Sequence, residues 1–280
     1  MIPNNTIVYL SSLLQDRYPD FTESLKEILT EEGISVRFLS ITKDIWCRDF
    51  MPVPLSKDRY IQFVYKPDYL VGFEDRRTNP YDVDPGISPV FHSKLVIDGG
   101  NVIKQGSTAI LSNKIFKENP AFRNRKPKLI QQLTHELEVE KVVIIPKDPS
   151  DISGHSDGMV RFVSENTVIM NEYLESDRYS PNFIFESVKA LTSHGIRVAG
   201  TLPYRAFNRK NRDGDYTAFG CYINYLEVDS LIVFPTFGIS EDLTAFEKIH
   251  QFFPSKRIVQ IDCKEIAEEG GVLNCISWNL

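Results

Sequence analysis

The chain has 280 residues, of which 42% are hydrophobic and 25% are charged, and it carries a formal net charge of −6. A chain of this length can bury a substantial core, and its acidic balance argues against nucleic acid or an anionic membrane as the main partner. Because there is no basic, apolar leader and the four cysteines lie far apart, we expect a single domain over residues 1–280 in a reducing cytoplasm, without disulfide bonds or a structural zinc.

A strand–turn–strand pattern recurs along the chain. The predicted hairpins join 51–55 to 60–65, 101–104 to 108–112, 159–163 to 167–171 and 222–226 to 230–235. Between them, amphipathic helices are predicted at 125–137 and 242–253, and further strands at 34–39, 142–145, 196–199 and 258–261. A fifth copy begins at Gly270 and needs the N-terminal strand 6–10 to complete it. Regular repetition of this kind is typical of units arranged around an axis.

Residues that carry chemistry stand just before or within the first strand of each repeat. They are Asp49, Asp98, His155, Asp157, Asn224 and Cys275. If the repeats surround an axis, these six side chains converge on it.

The first two of these positions are acidic. Asp49 follows Arg48, and in an extended segment the two side chains face opposite sides, so that Asp49 can face a pocket; the alternative is a local Arg–Asp pair. Asp98 precedes a Gly-Gly pair and is either a pocket residue or part of an ordinary turn. Trp46 stands beside the first motif and either walls a pocket or packs in the core.

The later positions can supply a base and a nucleophile. His155 and Asp157 are two residues apart, so in an extended segment they face the same side; the alternatives are a structural histidine and a fragment of a metal site. Cys275 follows a Gly-Gly pair and is either a nucleophilic thiolate or a small buried side chain. Asn224 lies in an apolar predicted strand, where its amide needs a partner, either substrate or backbone.

Four short motifs occur in a fixed order: WCRD at 46–49, IDGG at 97–100, GHSDGMVRFV at 154–163 and GGVLNC at 270–275. In this order they resemble the agmatine deiminase and bacterial peptidylarginine deiminase family of the guanidine-modifying superfamily. The resemblance implies an α/β fold, the five-bladed ββαβ propeller called the pentein fold, with pseudo-fivefold repeats around a central active site.

The resemblance also implies roles for the residues. Cys275 corresponds to the nucleophile and His155 to the general acid and base. Asp49 and Asp157 correspond to ligands of the guanidinium group. Asp98 and Asn224 match further polar positions of the family, and we include them with Trp46 among the predicted substrate-binding residues.

The implied activity is that of a cysteine-dependent hydrolase of C–N bonds in linear amidines. It would convert a cationic guanidino substrate, such as agmatine or an arginine derivative, to the ureido product and ammonia through a covalent thiouronium, with no metal or organic cofactor. The alternatives are an amidinotransferase or arginine dihydrolase of the same fold, a metal-dependent hydrolase, and a non-catalytic guanidino-binding protein. The substrate and the formation of homo-oligomers stay open.

Overall fold

The computed structural model describes residues 6–56, 58–88, 90–174, 179–206, 209–212 and 214–280. In these ranges the chain is a mixed α/β protein with five three-stranded sheets. In every sheet the middle strand pairs antiparallel with one neighbour and parallel with the other. Four of the sheets are therefore a hairpin followed by a crossover to a third strand, and the fifth has the same pairing pattern with its antiparallel partner supplied by the C-terminal strand.

The strands in chain order are β1 (Ile7–Ser11), β2 (Ser35–Leu39), β3 (Val53–Ser56), β4 (Arg59–Val64), β5 (Val90–Val96), β6 (Ile103–Gln105), β7 (Thr108–Ser112), β8 (Lys141–Ile145), β9 (Val160–Ser164), β10 (Thr167–Asn171), β11 (Arg197–Leu202), β12 (Leu226–Val228), β13 (Leu231–Thr236), β14 (Arg257–Asp262) and β15 (Ser277–Asn279). The α-helices are α1 (Leu13–Arg17), α2 (Pro19–Glu31), α3 (Cys47–Phe50), α4 (Ile115–Glu118), α5 (Lys126–Glu136), α6 (Pro181–Thr192), α7 (Glu241–Phe252), α8 (Lys264–Ala267) and α9 (Leu273–Ile276). Within the described ranges, none of the helices is both long and apolar enough to cross a membrane.

Four sheets follow the chain directly, in the orders β3-β4-β5, β6-β7-β8, β9-β10-β11 and β12-β13-β14. The fifth sheet, β15-β1-β2, joins the two ends of the chain. Its C-terminal strand runs antiparallel to β1, with Tyr9 opposite Trp278. The indole N–H of Trp278 donates to the Pro52 carbonyl oxygen at 2.8 Å and so ties this sheet to the neighbouring one. The prediction that an N-terminal strand completes the fifth repeat is confirmed.

The interior is shared between sheets. The largest buried cluster takes residues from β1, β6, β10 and β13, including Val8, Ile103, Val168 and Leu231. A second cluster packs β3, β4 and β5 against β7 and α5. Because neighbouring sheets bury their apolar residues against one another, the ends of their first strands are held in fixed positions.

Two local predictions differ from the structure. A strand is predicted at 222–226, but the observed strand, β12, starts only at Leu226. The preceding residues Tyr222, Ile223 and Tyr225 are fully buried without forming a strand. A short buried apolar run is compatible with more than one backbone conformation, so its pattern could not separate a strand from a turn. In the sheet β3-β4-β5, the described part of the crossover at 65–89 forms short 3-10 turns, where the ββαβ unit implied by the family resemblance would have an α-helix.

Candidate active site

Six of the seven predicted site residues lie on, or directly before, single turns that precede the first strands of the sheets: Asp49, Asp157 and Cys275 lie within the turns, and Trp46, Asp98 and His155 stand just before them. These turns are α3, the 3-10 turns Gly99–Asn101 and Ser156–Gly158, and α9. The prediction of extended backbone is therefore wrong at Arg48 and Asp49 and at Ser156 and Asp157, whereas His155 itself is extended. Backbone hydrogen bonds close the turns, from the Asp49 N–H to the Trp46 oxygen and from the Met159 N–H to the Ser156 oxygen, each at 3.0 Å. The turns, and not strand alternation, direct the side chains into one region.

His155 lies between two carboxylates. Its Nδ1 is 3.3 Å from Oδ1 of Asp49, and its Nε2 is 2.9 Å from Oδ2 of Asp98. All three side chains are buried. Burial alone would lower the pKa of His155, but the charge of Asp49 and the hydrogen bond to Asp98 outweigh it and raise that pKa to about 9. The imidazole is therefore a cation at neutral pH.

Behind Asp98 lies a lysine that the sequence analysis missed. Lys114 Nζ is 2.7 Å from Oδ2 of Asp98 and 2.9 Å from Oε1 of Glu118. Although burial opposes ionisation, the hydrogen bond and charge of His155 and the charge of Lys114 hold the pKa of Asp98 below its usual value. Burial, with the charge of Asp98, raises the pKa of Glu118 to about 7. The only signal in the sequence was the four-residue spacing of a lysine and a glutamate around α4, a pattern common on solvent-exposed helices.

Asp49 is held in a different environment. Its Oδ1 accepts a hydrogen bond from the Gly100 N–H at 3.1 Å. Burial, opposed by the charge of His155 and supported by the nearby Asp98 and Asp157, raises the pKa of Asp49 to about 7. Asp49 and Asp98 thus titrate differently, because only Asp98 has a lysine as a second cationic neighbour.

Cys275 is placed by the last turn of the chain. Its Sγ lies 3.8 Å from Oδ2 of Asp157, which accepts a hydrogen bond from the Asn274 amide at 2.6 Å. Burial and the charges of Asp157 and Asp49 raise the pKa of the Cys275 thiol well above its usual value. The thiol is therefore protonated at neutral pH in the site without substrate.

The Asn224 side chain binds the backbone of the segment that carries Cys275. Its Oδ1 accepts hydrogen bonds from the N–H groups of Val272 at 3.2 Å and Cys275 at 3.3 Å. The sequence left open whether the Asn224 amide binds substrate or backbone. In the structure, its oxygen binds backbone N–H groups. Trp46 packs over Gly271, where an added Cβ would lie only 3.0 Å from the Cβ of Cys275. The Gly-Gly pair thus allows the indole of Trp46 and the side chain of Cys275 to approach each other.

One point in space brings the remaining residues together. A Cβ built on Gly100 would lie 2.5 Å from Oδ1 of Asp49, 2.9 Å from Nδ1 of His155 and 3.3 Å from Oδ2 of Asp157. The same Asp157 oxygen contacts the sulfur of Cys275. A thiol, an imidazolium and two carboxylates thus surround one small buried region, an arrangement suited to a planar guanidinium with its fork of N–H donors.

The comparisons with known proteins identify the family of the chain. Residues 7–280 match the family described as Porphyromonas-type peptidyl-arginine deiminase. A putative agmatine deiminase of Streptococcus mutans is 23% identical over 283 residues, which cover 87% of this chain and 76% of the relative. A putative agmatine deiminase of Legionella pneumophila is 28% identical over 200 residues, covering 67% of this chain but only 56% of the relative's length.

Solved structures agree on the fold. The structure of C. jejuni agmatine deiminase superimposes with a TM-score of 0.72 at 16% identity, covering 98% of this chain and 92% of that one. The family and the enzyme class predicted from the sequence, a guanidino-group deiminase that hydrolyses C–N bonds of linear amidines, are confirmed by these matches. The chain belongs to the family of Porphyromonas-type peptidyl-arginine deiminases.

Proposed function

We propose that this chain hydrolyses the guanidino group of a small cationic substrate, agmatine or an arginine derivative, with Cys275 as nucleophile and His155 as general acid and base. The observation that carries the proposal is the contact of sulfur and imidazole with carboxylates around the single buried point beside Gly100. A cysteine that only fills space in the core would not need an imidazole and carboxylates around it.

The proposal includes a propeller of five blades around an axis, with the active site at its centre. It is supported by one cavity of about 420 Å³ that takes lining residues from the first strand of every sheet. These residues include Val53 of β3, Ile103 of β6, Arg161 of β9, Glu227 of β12 and Asn279 of β15. Five strands that line one cavity are expected of a radial arrangement.

Substrate binding is assigned to Asp49 and Asp157. Their carboxylates would accept N–H bonds from the guanidinium and hold its carbon near Sγ of Cys275. Asp98 would act through His155 by fixing the ring and its charge. Asn224 would act through the backbone of Cys275, and Trp46 would wall the site beside it.

The first half of the reaction forms a covalent intermediate. The bound cation between Asp49 and Asp157 compensates their charge and so favours loss of the Cys275 proton to solvent. The thiolate adds to the guanidinium carbon, and the new C–S bond gives a tetrahedral adduct. His155 donates its proton to the departing nitrogen, the C–N bond breaks and ammonia leaves. An S-alkylthiouronium remains on the enzyme.

The second half consumes water. Neutral His155 takes a proton from a water molecule, whose oxygen adds to the thiouronium carbon. The adduct loses its hydroxyl proton to solvent, the C=O bond forms, the C–S bond breaks, and the ureido product leaves; the released Cys275 thiolate then takes a proton from solvent to restore the resting thiol. The reaction thus consumes one water and releases one ammonia, and His155 ends each cycle protonated.

The pH dependence of kcat/KM follows from the shifted pKa values of two side chains, Asp49 and His155. Asp49 must be ionised to bind a cation, and its pKa is about 7. His155 must be protonated to act as the acid, and its pKa is about 9. We expect a bell-shaped profile that falls below about pH 7 and above about pH 9, measured as initial rates with a saturating coupled ammonia assay. A profile that stays flat across both limbs would contradict these assignments.

The activity itself is tested with purified protein and a panel of agmatine, free arginine and arginine peptides. We expect one ammonia and one ureido product for each substrate consumed, with no loss of activity in the presence of a chelator. Two ammonia molecules with carbon dioxide would indicate a dihydrolase, and a new guanidino product in the presence of glycine or ornithine would indicate an amidinotransferase. Binding without turnover of any compound would overturn the proposal.

A further inference from the structure

The cavity of about 420 Å³ lined by the first strands, here called the axial cavity, contains a concentration of cations that the reaction does not use. Arg48, Lys104 and Arg161 all line it. Asp157 and Glu227 are the acidic residues in the same lining. Cations collected in a partly enclosed space repel one another unless an anion enters.

Arg48 has neutral partners. Its Nε donates to the Asn274 carbonyl oxygen at 3.3 Å, and its Nη2 donates to Oδ1 of Asn279 at 3.0 Å. Among the described residues, no carboxylate forms an ion pair with it within 4.0 Å. Burial and the charge of Arg161 lower the pKa of Arg48 to about 10, although the charges of Asp157 and Asp49 oppose the shift. This guanidinium is thus a half-buried cation near a second cation, with a carboxylate nearby but none in direct ion-pair contact.

The other two cations are incompletely compensated. Arg161 donates from Nη1 to the Tyr225 carbonyl oxygen at 2.9 Å, and its Nη2 lies 3.6 Å from Oε2 of Glu227. That glutamate also pairs with Lys256. Lys104 donates to the carbonyl oxygen of Leu55. Oδ2 of Asp157 already accepts a hydrogen bond from the Asn274 amide and contacts the sulfur of Cys275. Within the described chain the cavity therefore presents more positive charge than its carboxylates balance.

We propose that the axial cavity binds a small oxyanion, with Arg48, Lys104 and Arg161 as its ligands. A tetrahedral oxyanion such as inorganic phosphate presents several acceptors and matches the free N–H donors of two guanidinium groups and an ammonium. The volume admits such an ion together with water. Of the three carboxylates around the catalytic region, only Asp157 also lines the axial cavity, so the oxyanion is expected beside the three cations and away from Asp49 and Asp98.

The test is isothermal titration of the full chain with inorganic phosphate, which requires no turnover and so stands apart from the proposed deiminase activity. We expect one phosphate per chain. The Lys104→Gln variant should bind it about tenfold more weakly, because a charge-assisted hydrogen bond is lost. Glu227→Gln should bind it more tightly, because the competing carboxylate charge is removed.

Lys141→Gln is the matched control. Lys141 also donates to a backbone carbonyl, that of His194 at 2.6 Å, but it does not line the axial cavity. Its variant should bind phosphate as the parent does. Sulfate should compete with phosphate, and chloride at the same concentration should not. The absence of phosphate binding at millimolar concentration, equal affinities of the Lys104→Gln and Lys141→Gln variants, or displacement by chloride would each overturn the proposal.

Discussion

Replacing Cys275 with alanine is expected to reduce kcat by about four orders of magnitude or more, because no other group near the guanidinium carbon can form the covalent intermediate. The fold should survive. The substitution removes one partly exposed sulfur, and the Cys275 N–H keeps its bond to Asn224 Oδ1. Ammonia release gives the rate, and thermal unfolding reports the fold.

The control for this variant is Cys263→Ala. Cys263 is fully buried at the end of β14, where burial raises the pKa of its thiol well above the usual value. Its removal should cost some stability, about 1 kcal/mol, while leaving turnover close to that of the parent. Undiminished ammonia release by Cys275→Ala, or loss of activity only in Cys263→Ala, would show that the nucleophile has been assigned wrongly.

The second large effect is expected from Gly100→Ala. The added methyl carbon would lie 2.5 Å from Oδ1 of Asp49 and 2.9 Å from Nδ1 of His155. Real side chains do not approach so closely, so both groups must move away from the reacting carbon. A displacement of about 1 Å in a catalytic geometry costs about 100-fold in rate, and we expect a loss of at least that size in kcat/KM.

Gly158→Ala provides the comparison. Gly158 belongs to the turn that carries Asp157, but the nearest atom to its added Cβ is Oδ2 of Asp151 at 4.0 Å. We expect this variant to keep kcat/KM within a few-fold of the parent. Comparable losses in the two variants would mean that any alteration of these turns is damaging. The specific crowding around Gly100 would then not be the cause.

Much of the architecture could be predicted from the sequence. The hairpins were visible because strand alternation and turn residues are local signals. The repetition of those hairpins then predicted where the chemistry-bearing residues would meet. The closure of the last sheet by the N-terminal strand also followed, since a fifth repeat begins at Gly270 with too little chain to finish it. Family motifs added the roles, which spacing alone left open.

The remaining features depend on contacts between distant segments. Nothing local to Lys114 indicates that it will be buried against Asp98, and nothing local to Gly100 indicates three side chains around it. The turns before the first strands have no signature in the sequence, because a few residues of mixed polarity carry no periodicity. The pKa values of Asp49 and Asp98 diverge through neighbours contributed by other repeats, which only the folded chain reveals.

The central claim is that Cys275 bonds to the guanidinium carbon during turnover. The most direct measurement is mass spectrometry of the enzyme quenched in acid during steady-state turnover, followed by peptide mapping. We predict an adduct on the Cys275 peptide with the mass of the substrate less one ammonia, and none in Cys275→Ala. Steady turnover with every cysteine peptide unmodified, or an adduct on another residue, would contradict the account.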